Sequence, residues 1–114
     1  MIHVYLDDFR RCPIGFVLAK SAEECKLLID HEAIDILSLD YDLGWNEPTG
    51  MEVVHHLVTT KKFPKQIYLH SSSLAGRQQM YGLLMKHIPD DVTLVATPMS
   101  TALLEEVSRK HNIK

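Results

Sequence analysis

The sequence predicts a single α/β domain, a five-stranded parallel sheet with helices on both faces. Short apolar runs alternate with longer segments of helical periodicity, and such alternation favours parallel strands joined by helices. Serine or threonine stands just before several of the periodic segments, where a helix needs a cap. The length, 114 residues, suits one hydrophobic core.

The elements follow in order. Ile2 to Leu6 reads as a first strand and Phe16 to Ala19 as a second. Between them, Asp7 to Gly15 holds Arg10-Arg11 and Pro13 and shows no apolar stripe, so a loop is expected where a first helix would normally lie. Ser21 with Glu24 forms a capping box ahead of Ala22, Cys25, Leu28 and Ile29. Ile34 to Leu39 is the third strand. Thr49 with Glu52 is a second capping box, and Met51, Val54, Leu57 and Val58 are the expected buried stripe of its helix. Gln66 to Leu69 is the fourth strand. A third helix follows Ser71-Ser72-Ser73, with Met80, Leu83, Leu84 and Ile88 on its apolar face. Val92 to Ala96 is the fifth strand, and Ser100 caps a last helix carrying Leu103, Leu104 and Val107.

Composition narrows the function. Hydrophobic residues make up 46% of the chain, enough for a packed core. A formal charge of -3 gives no pull toward a nucleic-acid backbone or an anionic membrane. The four tyrosines form no stacking platform in the sequence, so no extended nucleic-acid surface is expected. No apolar run nears the roughly 20 residues that span a bilayer. No leader peptide is evident, and a cytoplasmic location is expected. Cys12 and Cys25 fit neither a redox nor a zinc pattern, and Cys25 reads as a core residue.

Ligands of open parallel sheets bind beyond the carboxyl ends of the strands. After the first strand come Asp7-Asp8; after the third, Asp40 and then Asp42; after the fourth, His70 and three serines. In a 2-1-3-4-5 strand order the two acidic groups are neighbours. Carboxylates brought that close either take up a proton or bind a cation between them. Hard oxygen donors suit Mg²⁺ or Mn²⁺, so Asp7, Asp8, Asp40 and Asp42 are the expected metal ligands. His70 could move a proton, its ordinary pKa lying near working pH. Ser71, Ser72 and Arg77, at the start of a helix, suit a phosphate. His55-His56 point apart on one helix and cannot chelate together.

These residues resemble the receiver domains of two-component signalling: an acidic pair after the first strand, an aspartate after the third, and a Gly-Met-Glu helix start at Gly50. The resemblance implies a receiver-like, flavodoxin-like fold with strand order 2-1-3-4-5. It also implies Asp7 and Asp8 as Mg²⁺ ligands and Asp40 as phosphoacceptor. Receivers carry a lysine after the fifth strand, where this chain has Thr97-Pro98. A closer likeness lies in Leu6-Asp7-Asp8-Phe9-Arg10 with Pro13, Asp40-Tyr41-Asp42-Leu43-Gly44, Thr49-Gly50, and His70-Ser71-Ser72 with Gly76-Arg77 and Met80. Together they resemble the receiver-derived family named for cyclic-phosphate processing.

That likeness implies metal-dependent phosphoester chemistry, the hydrolysis of a cyclic phosphate on a nucleotide or an RNA end, with Asp40 and His70 as catalytic residues. The alternative is a regulatory module that is phosphorylated on Asp40 or binds metal and a phosphate ligand. The expected partner is a phosphate-bearing small molecule or RNA end, with no membrane involved.

Overall fold

In the computed structural model, which describes residues 1–113, the apolar runs form strands and the capped segments form helices. The order is β1 (Ile2–Leu6), β2 (Val17–Ala19), α1 (Ala22–His31), β3 (Ile34–Leu39), α2 (Gly50–Thr60), β4 (Gln66–Leu69), α3 (Leu74–Met85), β5 (Thr93–Val95) and α4 (Thr101–Asn112). All strand pairs are parallel, and the sheet runs β2-β1-β3-β4-β5. Strand order reverses between β1 and β3, so their carboxyl ends frame the crevice where such sheets take ligands.

Alternation along each strand sorts the core into two layers. Val4, Leu6, Leu37, Leu39, Ile67 and Leu69 point to one face and pack beneath α1, α2 and α3. Tyr5, Ile36 and Tyr68 point to the other, where Val107 and Leu103 of α4 cover them together with Cys12 and Phe16 of the β1–β2 loop. Ile34 shares a face with Leu37 because the β1–β3 register shifts between Ile2 and Val4. The expected loop at Asp7 to Gly15 is therefore a lid on the second face, which carries one helix against three on the first. Cys25 lies in the core, where burial pushes its thiol up to about 12.

Ser21, Thr49, Ser73 and Ser100 all cap helices through their hydroxyl oxygens, accepting from Glu24, Met51, Gly76 and Leu103 amides respectively. Some details depart from the sequence reading. Glu24 closes the first box on the amide of Lys20 rather than Ser21. Glu52 does not close the second; it reaches Lys26 of α1 at 3.3 Å, an ion pair between neighbouring helices. Gly50, Val53, Val54 and Leu57 form the fully buried stripe of α2, and Met51 and Val58 flank it half-buried, so the stripe lies to one side of the expected one. Ile88 lies beyond α3, and β2 and β5 are shorter than read, as edge strands paired on one side only.

Candidate functional site

The sheet positions the polar residues directly. The amide of Asp7 donates to Ala19 O at 3.0 Å, that of Asp40 to Leu6 O at 3.1 Å, and that of His70 to Leu39 O at 3.0 Å. The parallel ladder thus continues one residue past the apolar strands and carries the three side chains with it. All three are buried, and their ligand atoms lie within 4.8 Å of one another.

Two helices fix the Asp40-Tyr41 segment from above. Gly50, the first residue of α2, sits so close to Asp40 that a Cβ there would strike the Asp40 carbonyl. Its amide donates to Tyr41 O at 2.8 Å. Gly76, in the first turn of α3, lies against the Tyr41 ring, which a Cβ would also strike. Only glycine permits either approach.

Every acceptor direction of Asp7 is used. Oδ1 accepts from the amides of Phe9 and Arg10, both at 2.8 Å. Oδ2 accepts from Arg10 Nη1 at 3.0 Å and from His70 Nε2 at 2.9 Å. Burial alone would raise the Asp7 pKa; these donors outweigh it and hold the carboxyl below its ordinary value. Asp40 goes the other way. Burial, and then the nearby Asp7 charge, raise its pKa, only partly opposed by hydrogen bonds from Ser71 and the Tyr41 amide and by the field of His70.

Arg10 is the cation between them. Its Nη1 lies 3.5 Å from Asp40 Oδ2 as well as 3.0 Å from Asp7. Thr97, two residues past β5, is exposed and turns its hydroxyl to Pro98 O.

His70 faces the carboxylates. It stacks on Tyr5, ring centroids 4.3 Å apart. Because Asp7 can only accept, Nε2 carries the proton, and Nδ1 accepts from the Ser38 hydroxyl at 2.6 Å. Burial lowers the His70 pKa despite the bond to Asp7, so the ring is neutral at pH 7. Both ring nitrogens are therefore engaged, in a buried Ser38–His70–Asp7 chain.

Of the other sequence candidates, Asp8 and Asp42 are exposed at the rim of one cleft of about 400 Å³, whose walls include Asp7, Asp40, Arg10 and Ser72. The Asp42 side chain accepts from the Gly44 amide at 3.1 Å. Ser71 is buried, and its hydroxyl accepts from the Ser73 amide as well as bonding Asp40. Arg77 lies elsewhere. It lines a separate cleft with Leu74, Tyr81 and Ala96, because helical spacing turns it away from Ser72. Sequence reasoning assigned no role to Arg10 or Ser38. Arg10 is three residues past Asp7 in a loop without an apolar stripe, and that was the available signal; Ser38 offered none.

The donor set within reach is the two buried carboxylates, with Asp8 and Asp42 on the wall of the same cleft and His70, the third member of the convergent group, already bonded through both ring nitrogens; the carboxylates are hard oxygens. The set fits Mg²⁺ or Mn²⁺ rather than a thiolate-seeking metal, with Arg10 now neutralising the charge such an ion would meet.

Residues 2–86 match the family described as the cyclic-phosphate processing receiver domain. The chain belongs to this family. Among solved structures, the response regulator domain of Thermotoga maritima CheB shares the fold, with a TM-score of 0.54, 16% identity, and 99% of this chain and 98% of that one covered. Comparison with curated proteins finds no match. Family membership links the chain to cyclic-phosphate processing, and the receiver fold supplies the scaffold. No described helix is long and apolar enough to cross a membrane.

Proposed function

We propose that the domain is a divalent-metal-dependent hydrolase that opens a cyclic phosphate to a monoester on a nucleotide or an RNA end. The observation that carries this reading is the pairing of Asp7 and Asp40 across one cleft with the Arg10 guanidinium between them. In the reaction, water adds at phosphorus, one ring P–O bond breaks, and the freed oxygen takes a proton. A divalent ion held by Asp7, Asp8 and Asp40, with Asp42 beside them, would polarise a phosphoryl oxygen and acidify a bound water.

The chain's own residues do the rest. Arg10, 40% exposed at its side chain, can turn from the carboxylates to a phosphate oxygen once their charge is met elsewhere. Ser72, on the cleft wall, offers a hydroxyl donor. Ser71 holds Asp40 in place. His70 keeps Asp7 charged and aimed, acting as a positioning residue through its Nε2 proton; moving a proton itself would require it to release Ser38 or Asp7.

Two variants test these roles by steady-state hydrolysis of a nucleoside 2′,3′-cyclic phosphate with Mg²⁺. Asp40→Asn should lower kcat by about a hundredfold or more. Arg10→Ala should raise KM more than it lowers kcat, as for a phosphate contact made before the reaction. An Asp40→Asn enzyme with unchanged kcat would remove Asp40 from the reaction. His70→Gln, which keeps a donor near Asp7, should retain far more activity than His70→Ala; equal losses would assign His70 to proton transfer.

A second reading, phosphorylation of Asp40 in a regulatory module, is favoured by the receiver fold. A phosphoaspartate that persists after treatment with a small phosphodonor would support it.

A further inference from the structure

Two aromatic side chains on the loops that line the acidic cleft project into solvent. Phe9 and Trp45 are each 93% exposed, more than any other large hydrophobic residue described. Phe9 lines the cleft itself, and Trp45 follows Gly44, which lines it from the β3–α2 loop. The two loops meet: an ideal Cβ on Gly44 would stand 3.3 Å from Asp8 Oδ2. The main chain at Phe9 is fixed by its amide, which donates to Asp7 Oδ1 at 2.8 Å. Among the described residues, neither ring has an aromatic partner.

We propose that Phe9 and Trp45 form a stacking rim for a nucleobase whose phosphate lies in the cleft. This rests on the hydrolase reading for the phosphate end and adds the residues that hold the base. Aromatic rings stack on any base, so the rim is tolerant of base identity but demands that a base be present. With a net charge of -3 the chain offers no electrostatic track for a nucleic-acid backbone. The ligand is therefore one nucleotide, free or at the end of an RNA, rather than a stretch of strand.

Trp45 is the only tryptophan, so its emission reports on the rim. The probes are adenosine 2′,3′-cyclic phosphate, glycerol 1,2-cyclic phosphate and a short RNA ending in a 2′,3′-cyclic phosphate, each titrated at saturating Mg²⁺. Equilibrium dialysis gives the affinities of Phe9→Ala and Trp45→Ala. The adenosine compound should quench Trp45, and the glycerol compound should not. Each variant should bind the adenosine compound about tenfold more weakly. An RNA that binds as tightly as the mononucleotide assigns the rim to one terminal base from either source; RNA binding alone assigns it to RNA ends. Equal affinities in wild type and both variants, or for the glycerol and adenosine compounds, would overturn the rim and leave the cleft's chemistry standing. Stacking without turnover of any cyclic phosphate would keep the rim and remove the hydrolase reading. Self-association that Trp45→Ala abolishes, with no response to nucleotide, would give the rings to a second copy and overturn the proposal.

Discussion

Two buried carboxylates, Asp7 and Asp40, share one guanidinium, Arg10 Nη1, at 3.0 and 3.5 Å. Like charges at that range resist joint ionisation, which is part of why the Asp40 pKa is raised. Arg10 offsets that repulsion when no other cation is bound. Removing it should therefore destabilise the metal-free fold, by about 1 kcal/mol because the guanidinium is partly exposed. Mg²⁺ should then stabilise Arg10→Ala more than wild type. Asp40→Asn should do the reverse, melting higher than wild type in EDTA and responding less to Mg²⁺. Thermal melts in EDTA and in millimolar Mg²⁺ check both; equal Mg²⁺ responses in all three proteins would separate Arg10 and Asp40 from the ion. Asp7, Asp8, Asp40 and His70 were legible in the sequence because each follows an apolar strand. Arg10 was not, since its tie to Asp40 spans 30 residues and leaves no local pattern. Arg77 follows the serines closely in sequence, yet it lines a separate cleft, a direction set by a helical phase that only the folded chain reveals.

The elements hold the site through close approach as much as through hydrogen bonds. Gly50 lets the start of α2 rest on the Asp40 carbonyl, and Gly76 lets α3 rest on Tyr41. The expected effect of Gly50→Ala follows from overpacking: the helix start must move, at a cost of about 1–3 kcal/mol, and the Asp40 carboxylate moves with it. Urea unfolding should show the lost stability, and Mg²⁺ affinity should fall with it. A Gly50→Ala protein with wild-type stability and affinity would show that α2 does not set the position of Asp40. Elements were the most readable level of this sequence. Caps at Ser21, Thr49 and Ser100 marked helix starts because hydroxyl acceptors there satisfy free amides. The buried stripe of α2 was misjudged at Met51, Val53 and Val58 because apolar residues stand on both sides of Val54 and Leu57, so the pattern alone leaves the helix's rotation open. The loop at Asp7 to Gly15 was legible from its missing periodicity, but its use as a cover for Tyr5 and Ile36 was not.

Across the whole molecule, that loop and α4 cover the face of the sheet from which Tyr5 and Ser38 project, and there the Ser38–His70–Asp7 chain is buried. A buried neutral histidine links this core to pH. Burial lowers the His70 pKa below its ordinary 6.5, so the unfolded chain takes up the proton first. The His70 contribution to stability should be present above about pH 6.5 and should be lost as pH drops from there through the lowered value, while the raised Asp40 contributes with the opposite sign. His3, also lowered by burial, adds to the same slope. Denaturant unfolding at a series of pH values should show a shallower acid loss in His70→Gln than in wild type; identical slopes would mean that His70 is not held neutral.

Phosphorus NMR is the decisive check on cyclic-phosphate hydrolysis by this domain. Purified protein is incubated with Mg²⁺ and a nucleoside 2′,3′-cyclic phosphate, beside the Asp40→Asn variant and an EDTA control. The expected result is conversion of the cyclic signal to a single monoester by the wild type alone, and only with the metal. A panel of cyclic phosphates left intact by a protein that binds Mg²⁺ would contradict it.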